Sequence, residues 1–353
     1  MTNHRESTLQ RLLEACLPAD NRQVSLRTVE DCPALLRTVK VAPSVLDETG
    51  GEVSRAVLAQ ALNLLLFRDL LARVPTGQRY VAECVSEGRQ VVFDHGALRT
   101  VALGGMGDLP AGEAAITRVL LPLGYKMTAV YPLDRLGMTG RSYTHSDFPE
   151  ELPQFFVSEL HPERFSPGFR QGVARVTASS RDPLSESARS SLRELSDRNQ
   201  LPFDQAAALL PILLACFQRQ HADPAWSDYE ILLAESAEMA WIATEGNVFN
   251  HATDRVPSLD ALVAGQRLLN RPLKDTIETS RSGRVRQTAF RADPVERSFI
   301  DANGAVLWRS VPGSFYEFIQ RDRLRDLSTG ISRLDLAFDS GNAQGIFKMT
   351  AAA

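Results

Sequence analysis

The sequence predicts an α+β protein built around a curved sheet, or open barrel, formed by two copies of a β-α-β-β-β module. The main indication is a repeated segment: residues 93–99 and 249–255 both read Phe, Asp or Asn, His, three further residues and Arg. Each copy heads a stretch with the same predicted order of elements, and each stretch ends on a strand-like run, at residues 154–161 and 314–320. Recurrence of a motif together with its element order indicates an internal duplication.

The first module is predicted over residues 91–161. Residues 91–103 are strand-like, whereas residues 111–123 have helical periodicity and end at Gly124, a residue typical of helix C-termini. The strands predicted after this helix cover residues 125–133, 140–144 and 154–161.

The second module is predicted over residues 246–321. It opens with a strand at residues 248–253, followed by a helix for which Ser258 is the expected N-cap, since a serine side chain accepts from the first helical N–H groups. Asn303-Gly304 predicts a tight hairpin turn. The strands predicted after the helix cover residues 274–279, 287–290, 296–300, 306–309 and 314–320.

Helical segments are added to these modules in what we expect to be one single domain. Residues 1–90 form an N-terminal helical region with helices at 6–17 and 53–74, the second ended by Thr76-Gly77. Residues 322–353 form a C-terminal tail. A helical insertion occupies residues 162–245, with helices at 185–198, 203–220 and 229–242.

Composition narrows the class of protein. Hydrophobic content of 44% and charged content of 23% are typical of globular proteins, and a formal charge of −4 argues against nucleic acid as a partner. The longest apolar run, residues 206–217, is too short to span a bilayer, and we expect no membrane partner. Four scattered cysteines and the lack of a signal peptide predict a cytoplasmic protein.

Three residues at equivalent places in the duplication predict a metal site. His95 and His251 belong to the repeated segment, and Glu317 lies between Tyr316 and Phe318 in the final strand. A buried carboxylate needs a cation, which is either a metal ion or, alternatively, Arg321 or Arg99. Two histidines and one carboxylate are the ligands of non-haem iron(II) oxygenases, in which open positions remain for substrate and dioxygen.

Two such modules closing one sheet around a metal describe the vicinal oxygen chelate architecture, in which ligands come from the first and last strands of each module. The remaining first-module position falls on Ser158 or Glu159, depending on register. A rival metal motif is His145-Ser146-Asp147 combined with His251, which has the spacing found in cupin-type oxygenases.

Arg99 is a candidate substrate-binding residue. It follows His95 by four residues, so both side chains lie on the same side of a strand. Its guanidinium could hold a substrate carboxylate with two parallel hydrogen bonds, or it could form a salt bridge at the rim of the site.

Residues 93–99, 154–166, 248–256 and 313–321 together resemble the 2-oxoadipate dioxygenase/decarboxylase family, and the resemblance extends from about residue 50 to the C-terminus. It implies a vicinal-oxygen-chelate-like core with added helices, iron(II) held by His95, His251 and Glu317, and a substrate carboxylate held by Arg99. The tail at residues 322–353 resembles the family's closing segment, which lines the substrate pocket, and this implies a substrate-binding role for Ser340. The spacing from Ser340 to Gly345 differs from the spacing expected in that family.

The resemblance also implies a reaction. A 2-oxo acid would chelate iron(II), and decarboxylation and hydroxylation would occur on that one molecule. For 2-oxoadipate and dioxygen, the products would be 2-hydroxyglutarate and carbon dioxide, as in lysine catabolism. Zinc, manganese or nickel could occupy the same site in a purified sample. The alternatives are a non-redox metalloenzyme of this architecture, an isomerase or hydrolase, and a non-catalytic ligand-binding member of the fold.

Overall fold

A computed structural model describes residues 6–17, 32–325, 330–339 and 341. Ser340, predicted to bind substrate, therefore lies outside the described residues. The helices are α1 (Thr8–Cys16), α2 (Cys32–Thr38), α3 (Pro43–Leu46), α4 (Arg55–Arg73), α5 (Pro75–Ser86), α6 (Ala114–Leu120), α7 (Pro167–Thr177), α8 (Glu186–Arg198), α9 (Phe203–Ala215), α10 (Trp226–Glu235), α11 (Ala237–Glu245) and α12 (Leu259–Leu268). The strands are β1 (Glu52–Ser54), β2 (Phe93–Val101), β3 (Tyr125–Leu133), β4 (Met138–His145), β5 (Gln154–Leu160), β6 (Gln200–Pro202), β7 (Phe249–Arg255), β8 (Glu278–Thr279), β9 (Val285–Ala289), β10 (Pro294–Ile300), β11 (Val306–Pro312), β12 (Phe315–Arg321), β13 (Arg323–Arg325) and β14 (Ser332–Leu334).

The centre of the fold is one curled sheet of eight strands, in the order β3-β4-β5-β2-β7-β12-β9-β8. Strands β2 and β7 meet antiparallel in the middle and so join the two modules. Each of them also pairs in parallel with the last strand of its own module, β5 or β12. The predicted α+β fold with a duplicated, curved sheet is therefore confirmed.

Helix α4 covers one face of this sheet and begins where the sequence predicts. Ser54 caps it by accepting a hydrogen bond from the Val57 N–H, which satisfies one of the free donors of the first turn. Its side chains are buried on nearly every side. Phe67 packs against Phe93 at the start of β2, with 5.0 Å between ring centroids, and thereby fixes the strand that carries His95.

The helix predicted at residues 53–74 is confirmed as α4, but two other helical features differ from prediction. Thr76-Gly77 lies inside a further helix, because α5 starts at Pro75, a residue whose fixed φ suits the first turn of a helix. Gly77 allows α5 to approach the sheet closely, since a Cβ there would lie 2.8 Å from the Tyr316 ring. The single helix predicted at residues 229–242 is instead two, and Ser236 caps the second by accepting from the Met239 N–H.

The second module also departs from prediction. Strands β10 and β11 pair only with each other in a separate two-stranded sheet, so the module's central strands are β7, β8, β9 and β12. The hairpin turn at Asn303-Gly304 is confirmed, with Gly304 at a φ of +81°. Ser258 caps α12, as its residue type predicts. In the described part of the chain, no helix is both long enough and apolar enough to cross a membrane.

Candidate metal centre

Strands β2, β7 and β12 bring His95, His251 and Glu317 together in the middle of the sheet. All three side chains are buried, and their candidate donor atoms lie within 4.8 Å of one another. Glu317 Oε2 is 3.3 Å from Nε2 of each histidine. Over residues 6–17, 32–325, 330–339 and 341, this is the one cluster of three or more His, Cys, Asp or Glu donors close enough to share a metal ion.

Two β-bulges orient the histidine rings. Asp94 is an extra residue on β2 opposite β7, and Asn250 is an extra residue on β7 opposite β2. A bulge turns the side chain of the inserted residue away from the regular alternation. Asp94 Oδ1 consequently reaches Nδ1 of His95 at 2.9 Å, and the Asn250 amide reaches Nδ1 of His251 at 2.9 Å. The Asp94 carboxylate accepts from Nδ1 of His95, which leaves Nε2 of that ring as the atom that can bind a metal. The Asn250 amide nitrogen donates, so Nδ1 of His251 is the acceptor in that contact.

Sequence reasoning missed these two orienting residues. Asp94 and Asn250 precede the two histidines, and regular strand alternation would point them away from the site. The available signal was that the repeated motif keeps a short polar side chain in both copies. Only the strand pairing shows that both residues belong to bulges.

The two histidines differ in their electrostatic surroundings. Burial alone disfavours an imidazolium, but the adjacent Asp94 and Glu317 carboxylates outweigh it and raise the pKa of His95. At His251 the neighbour is the neutral Asn250 amide, and burial there lowers the pKa. The two histidines come from the same repeated segment, but their surroundings therefore differ in charge.

Glu317 has the features expected of a metal ligand. Burial opposes its ionisation, yet the His251 and His95 rings hold its pKa well below the usual range, so the carboxylate is charged at neutral pH. Thr253 donates a hydrogen bond to Oε2, whereas Oε1 is buried and, within the described residues, has no hydrogen-bond partner. A divalent cation would neutralise this buried charge and give Oε1 a partner, so the donor set fits a two-histidine, one-carboxylate metal site.

The alternative cation for Glu317, an arginine, is not supported by the geometry. Arg321 makes a bidentate ion pair with Asp94 instead, with its Nη2 2.9 Å from Oδ1. Arg99 is fully buried on the same strand as His95, with its Cζ 4.8 Å from the Trp241 ring. Burial lowers the pKa of Arg99 to about 10, with Glu238 acting in the opposite direction, so its side chain remains cationic at neutral pH.

The three candidate ligands open onto a cavity. Polar groups from different strands and the tail share its wall with apolar side chains, among them Phe156 on β5 and Phe338 in the tail. Ala97, two residues before Arg99 on the same face of β2, is part of the wall. Among the described residues, those that line the cavity are His95, Ala97, Phe156, Ser158, Asn250, His251, Gln287, Glu317, Phe338 and Asp339, and Arg99 is not one of them.

The register of the parallel pairs identifies the first-module counterpart of Glu317. His95 pairs with Gln154, and His251 pairs with Phe315. Two residues further along, Glu317 therefore corresponds to Phe156 rather than to Ser158 or Glu159. A phenyl ring cannot bind a metal. Ser158 lines the cavity, whereas the Glu159 carboxylate pairs with Arg141 at 2.8 Å.

The cupin-type alternative is wrong. His145 Nδ1 accepts hydrogen bonds from the backbone N–H groups of Asp147 and Phe148, at 3.2 and 3.3 Å. The Asp147 carboxylate is 2.6 Å from the Arg55 guanidinium. These residues close a turn at the end of β4 and are not part of the cluster that contains His251.

Comparison with known proteins agrees with this fold. The family model for 2-oxoadipate dioxygenase/decarboxylase matches residues 66–330. A chloroplastic/amyloplastic rice protein of that name is 23% identical over 301 residues, covering 79% of this chain and 75% of its own. A solved glyoxalase superfamily protein from Ralstonia eutropha is 52% identical, with a TM-score of 0.84 over 94% of this chain and 98% of its own.

A second solved structure, rice hydroxyglutarate synthase in complex with 2-oxoadipate, shares the fold. It is 19% identical, with a TM-score of 0.63 over 84% of this chain and 93% of that protein. The family match spans well over half of the chain and includes all three candidate ligands. The chain belongs to the 2-oxoadipate dioxygenase/decarboxylase family.

Proposed function

We propose that this protein is a non-haem iron(II) dioxygenase that decarboxylates and hydroxylates a 2-oxo acid, with 2-oxoadipate as the favoured substrate. One 2-oxoadipate and one dioxygen would give one 2-hydroxyglutarate and one carbon dioxide, a step of lysine catabolism. The observation that carries the proposal is the convergence of His95, His251 and Glu317 in a chain of this family. Within the described residues the four cysteines form no disulfide, which supports a cytoplasmic location.

His95, His251 and Glu317 would hold iron(II), which would supply the oxygen chemistry when the 2-oxo acid chelates it. The role of the chain is to hold and isolate these groups. Asp94 and Asn250 fix the imidazole rings so that both Nε2 atoms face the same point. Phe156 and Phe338 form apolar parts of the wall, which exclude water from the reacting groups.

Arg99 is the residue we assign to the distal carboxylate of the substrate. It shares a strand face with His95, and it carries a charge in a fully buried place, where attraction to an anion is stronger than in water. This favours a dicarboxylic 2-oxo acid over one with an apolar end. The resemblance of the tail adds Ser340 as a further substrate-binding residue.

The test is oxygen consumption by iron-reconstituted protein across 2-oxo acids of four to seven carbons. We expect turnover with 2-oxoadipate alone, and equal amounts of oxygen consumed, carbon dioxide released and 2-hydroxyglutarate formed. Glu317→Gln should be inactive. Glu159→Gln, which changes a carboxylate on the neighbouring strand outside the cavity, should stay active.

Three results would overturn the proposal. Full turnover of a substrate under strict anaerobiosis would identify a non-redox metalloenzyme, and a need for added 2-oxoglutarate would identify a different class of oxygenase. Binding of 2-oxo acids without turnover in any iron-loaded sample would identify a ligand-binding protein.

A further inference from the structure

The last residue of β12, Arg321, joins the candidate metal centre to the C-terminal segment that covers it. Its side chain is fully buried and faces Asp94 on one side and residues 335–338 on the other. We propose that Arg321 is a positioning residue that couples the seating of segment 335–338 over the cavity to the orientation of His95. The inference rests on the proposed metal site.

The first contact of Arg321 is with Asp94. Its Nε lies 3.0 Å from Oδ2, and its Nη2 lies 2.9 Å from Oδ1. The same Oδ1 is the atom that engages Nδ1 of His95. Arg255 is the other cation nearby, and it is 3.6 Å from Oδ2. The planar guanidinium therefore fixes the plane of the carboxylate that in turn fixes the imidazole.

The second contact of Arg321 is with the tail. Nη1 donates to two backbone carbonyls, those of Asp335 at 2.9 Å and Ala337 at 2.7 Å. A guanidinium has five donors in a rigid fork, so it can bind the carboxylate and both carbonyls at once. A lysine, which has a single ammonium group, cannot reproduce this arrangement.

Phe338 completes the link between the tail and the metal centre. Its ring lies 4.9 Å from the Arg321 Cζ, and its centroid is 4.8 Å from that of the His95 ring, edge to face. Its backbone N–H donates to the Tyr131 hydroxyl at 3.1 Å. When residues 335–338 lie over the cavity, the Phe338 ring and the Asp335 and Ala337 carbonyls exclude water from Arg321. If this segment moved away from the cavity, Arg321 would bind water instead, and Asp94 would lose the ion pair that fixes its orientation.

Coupling between two sites is reciprocal, which makes it measurable from either end. A metal ion bound through His95 should slow amide hydrogen exchange in residues 332–338. The probe is Co²⁺ alone, added to the whole chain without substrate, with exchange read by mass spectrometry and affinity read by titration. We expect exchange in this segment to slow by about tenfold in the wild type.

Arg321→Gln should weaken Co²⁺ binding by up to about 10-fold, since removing a direct partner of a ligand costs about 10- to 100-fold and Arg321 acts one contact further away, through Asp94. It should also abolish the cobalt-dependent protection of residues 332–338. Arg321→Lys keeps the charge opposite Asp94 and serves as a second variant if the glutamine form folds poorly. It should retain part of the affinity and lose the protection. Arg284→Gln is the matched control, because Arg284 holds the Asp335 side chain at 2.8 Å from outside. That variant should keep the protection.

The outcomes separate this inference from the proposed function. If Co²⁺ binds the wild type but leaves exchange in residues 332–338 unchanged, the coupling is wrong while the oxygenase assignment stands. If Arg321→Gln and Arg284→Gln lose protection equally, Arg321 is only a tail anchor, and the proposal also fails. Coupling without any oxygen-dependent turnover would contradict the proposed function alone.

Discussion

Replacing Glu317 by Gln removes one negative charge from the metal centre with almost no change in side-chain volume. The carboxylate is ionised in the folded protein, and its Oε2 lies 3.3 Å from Nε2 of both His95 and His251. A neutral amide in the same place leaves the two imidazoles in position but is a much poorer ligand for a divalent cation. The variant therefore isolates the contribution of the charge to metal binding.

The expected size of the effect follows from linkage. Removing a residue that hydrogen-bonds to a metal ligand weakens metal affinity by about 10- to 100-fold. Removing the ligand itself should therefore weaken metal affinity by more than about 100-fold. At a free metal concentration 100 times the wild-type Kd, bound metal stabilises the fold by about 2.7 kcal/mol, whereas a 100-fold weaker variant gains only about 0.4 kcal/mol. For 353 residues, at about 2.1 cal/mol/K per residue, these correspond to Tm shifts of about 4 °C and about 0.5 °C.

The assay is thermal unfolding with and without Co²⁺ or anaerobic Fe²⁺. Each variant is compared with its own metal-free form, so any change in the stability of the metal-free protein cancels. Glu159→Gln is the control and should shift as the wild type does, since its carboxylate pairs with Arg141 outside the cavity. Glu317→Asp shortens the side chain by one methylene, so its metal-dependent rise in Tm should be smaller than that of the wild type. A metal-dependent shift in Glu317→Gln as large as that of the wild type would refute the ligand assignment.

Three further predictions concern the strands around the site. Arg99→Lys should leave metal affinity unchanged and weaken 2-oxoadipate binding by about 10- to 100-fold, because lysine cannot make a charge-assisted bidentate contact. Substrate titration measures this effect, and loss of metal with an unaltered dependence on substrate concentration would contradict it. Gly96→Ala should destabilise the fold by about 1–3 kcal/mol in urea unfolding, because the new Cβ would lie 2.2 Å from the Phe249 ring; an unchanged midpoint would contradict it. Burial raises the pKa of Asp254 to about 6 despite the Tyr80 hydrogen bond, so the protonated side chain favours folding at low pH, and this contribution is lost as the pH rises from about 4 to about 6. Wild-type stability should accordingly fall by about 2 kcal/mol relative to Asp254→Asn between pH 4 and 7.5, and a difference independent of pH would be the contrary result.

The fold was predictable because its information is repeated along the chain. A motif that recurs with the same succession of elements constrains the topology more than any single element does, and the central pairing of β2 with β7 follows from it. The misplaced boundaries lie where tertiary packing overrides local signals. Gly77 would end an isolated helix, but here it lets α5 lie against Tyr316.

The site was predictable in its ligand types and only partly in its support. Histidine and glutamate signal metal binding by their chemistry, wherever they lie. Asp94 and Asn250 act through bulges, which depend on how two distant strands pair and leave no pattern in either strand alone. Arg321 was considered as a partner of Glu317, yet it pairs with Asp94 on β2. That choice depends on side-chain direction, which sequence spacing does not determine.

The two modules differ at the candidate metal centre. Glu317 of the second module is a candidate ligand and Thr253 donates to it, whereas the positions that correspond to them in the first module carry Phe156 and Ala97. A full duplication would give four protein ligands and leave less of the metal accessible. The first module contributes Ala97 and Phe156 to the cavity wall instead of a second threonine and carboxylate. At the proposed metal site, the missing fourth protein ligand would leave positions for a chelating substrate and for dioxygen.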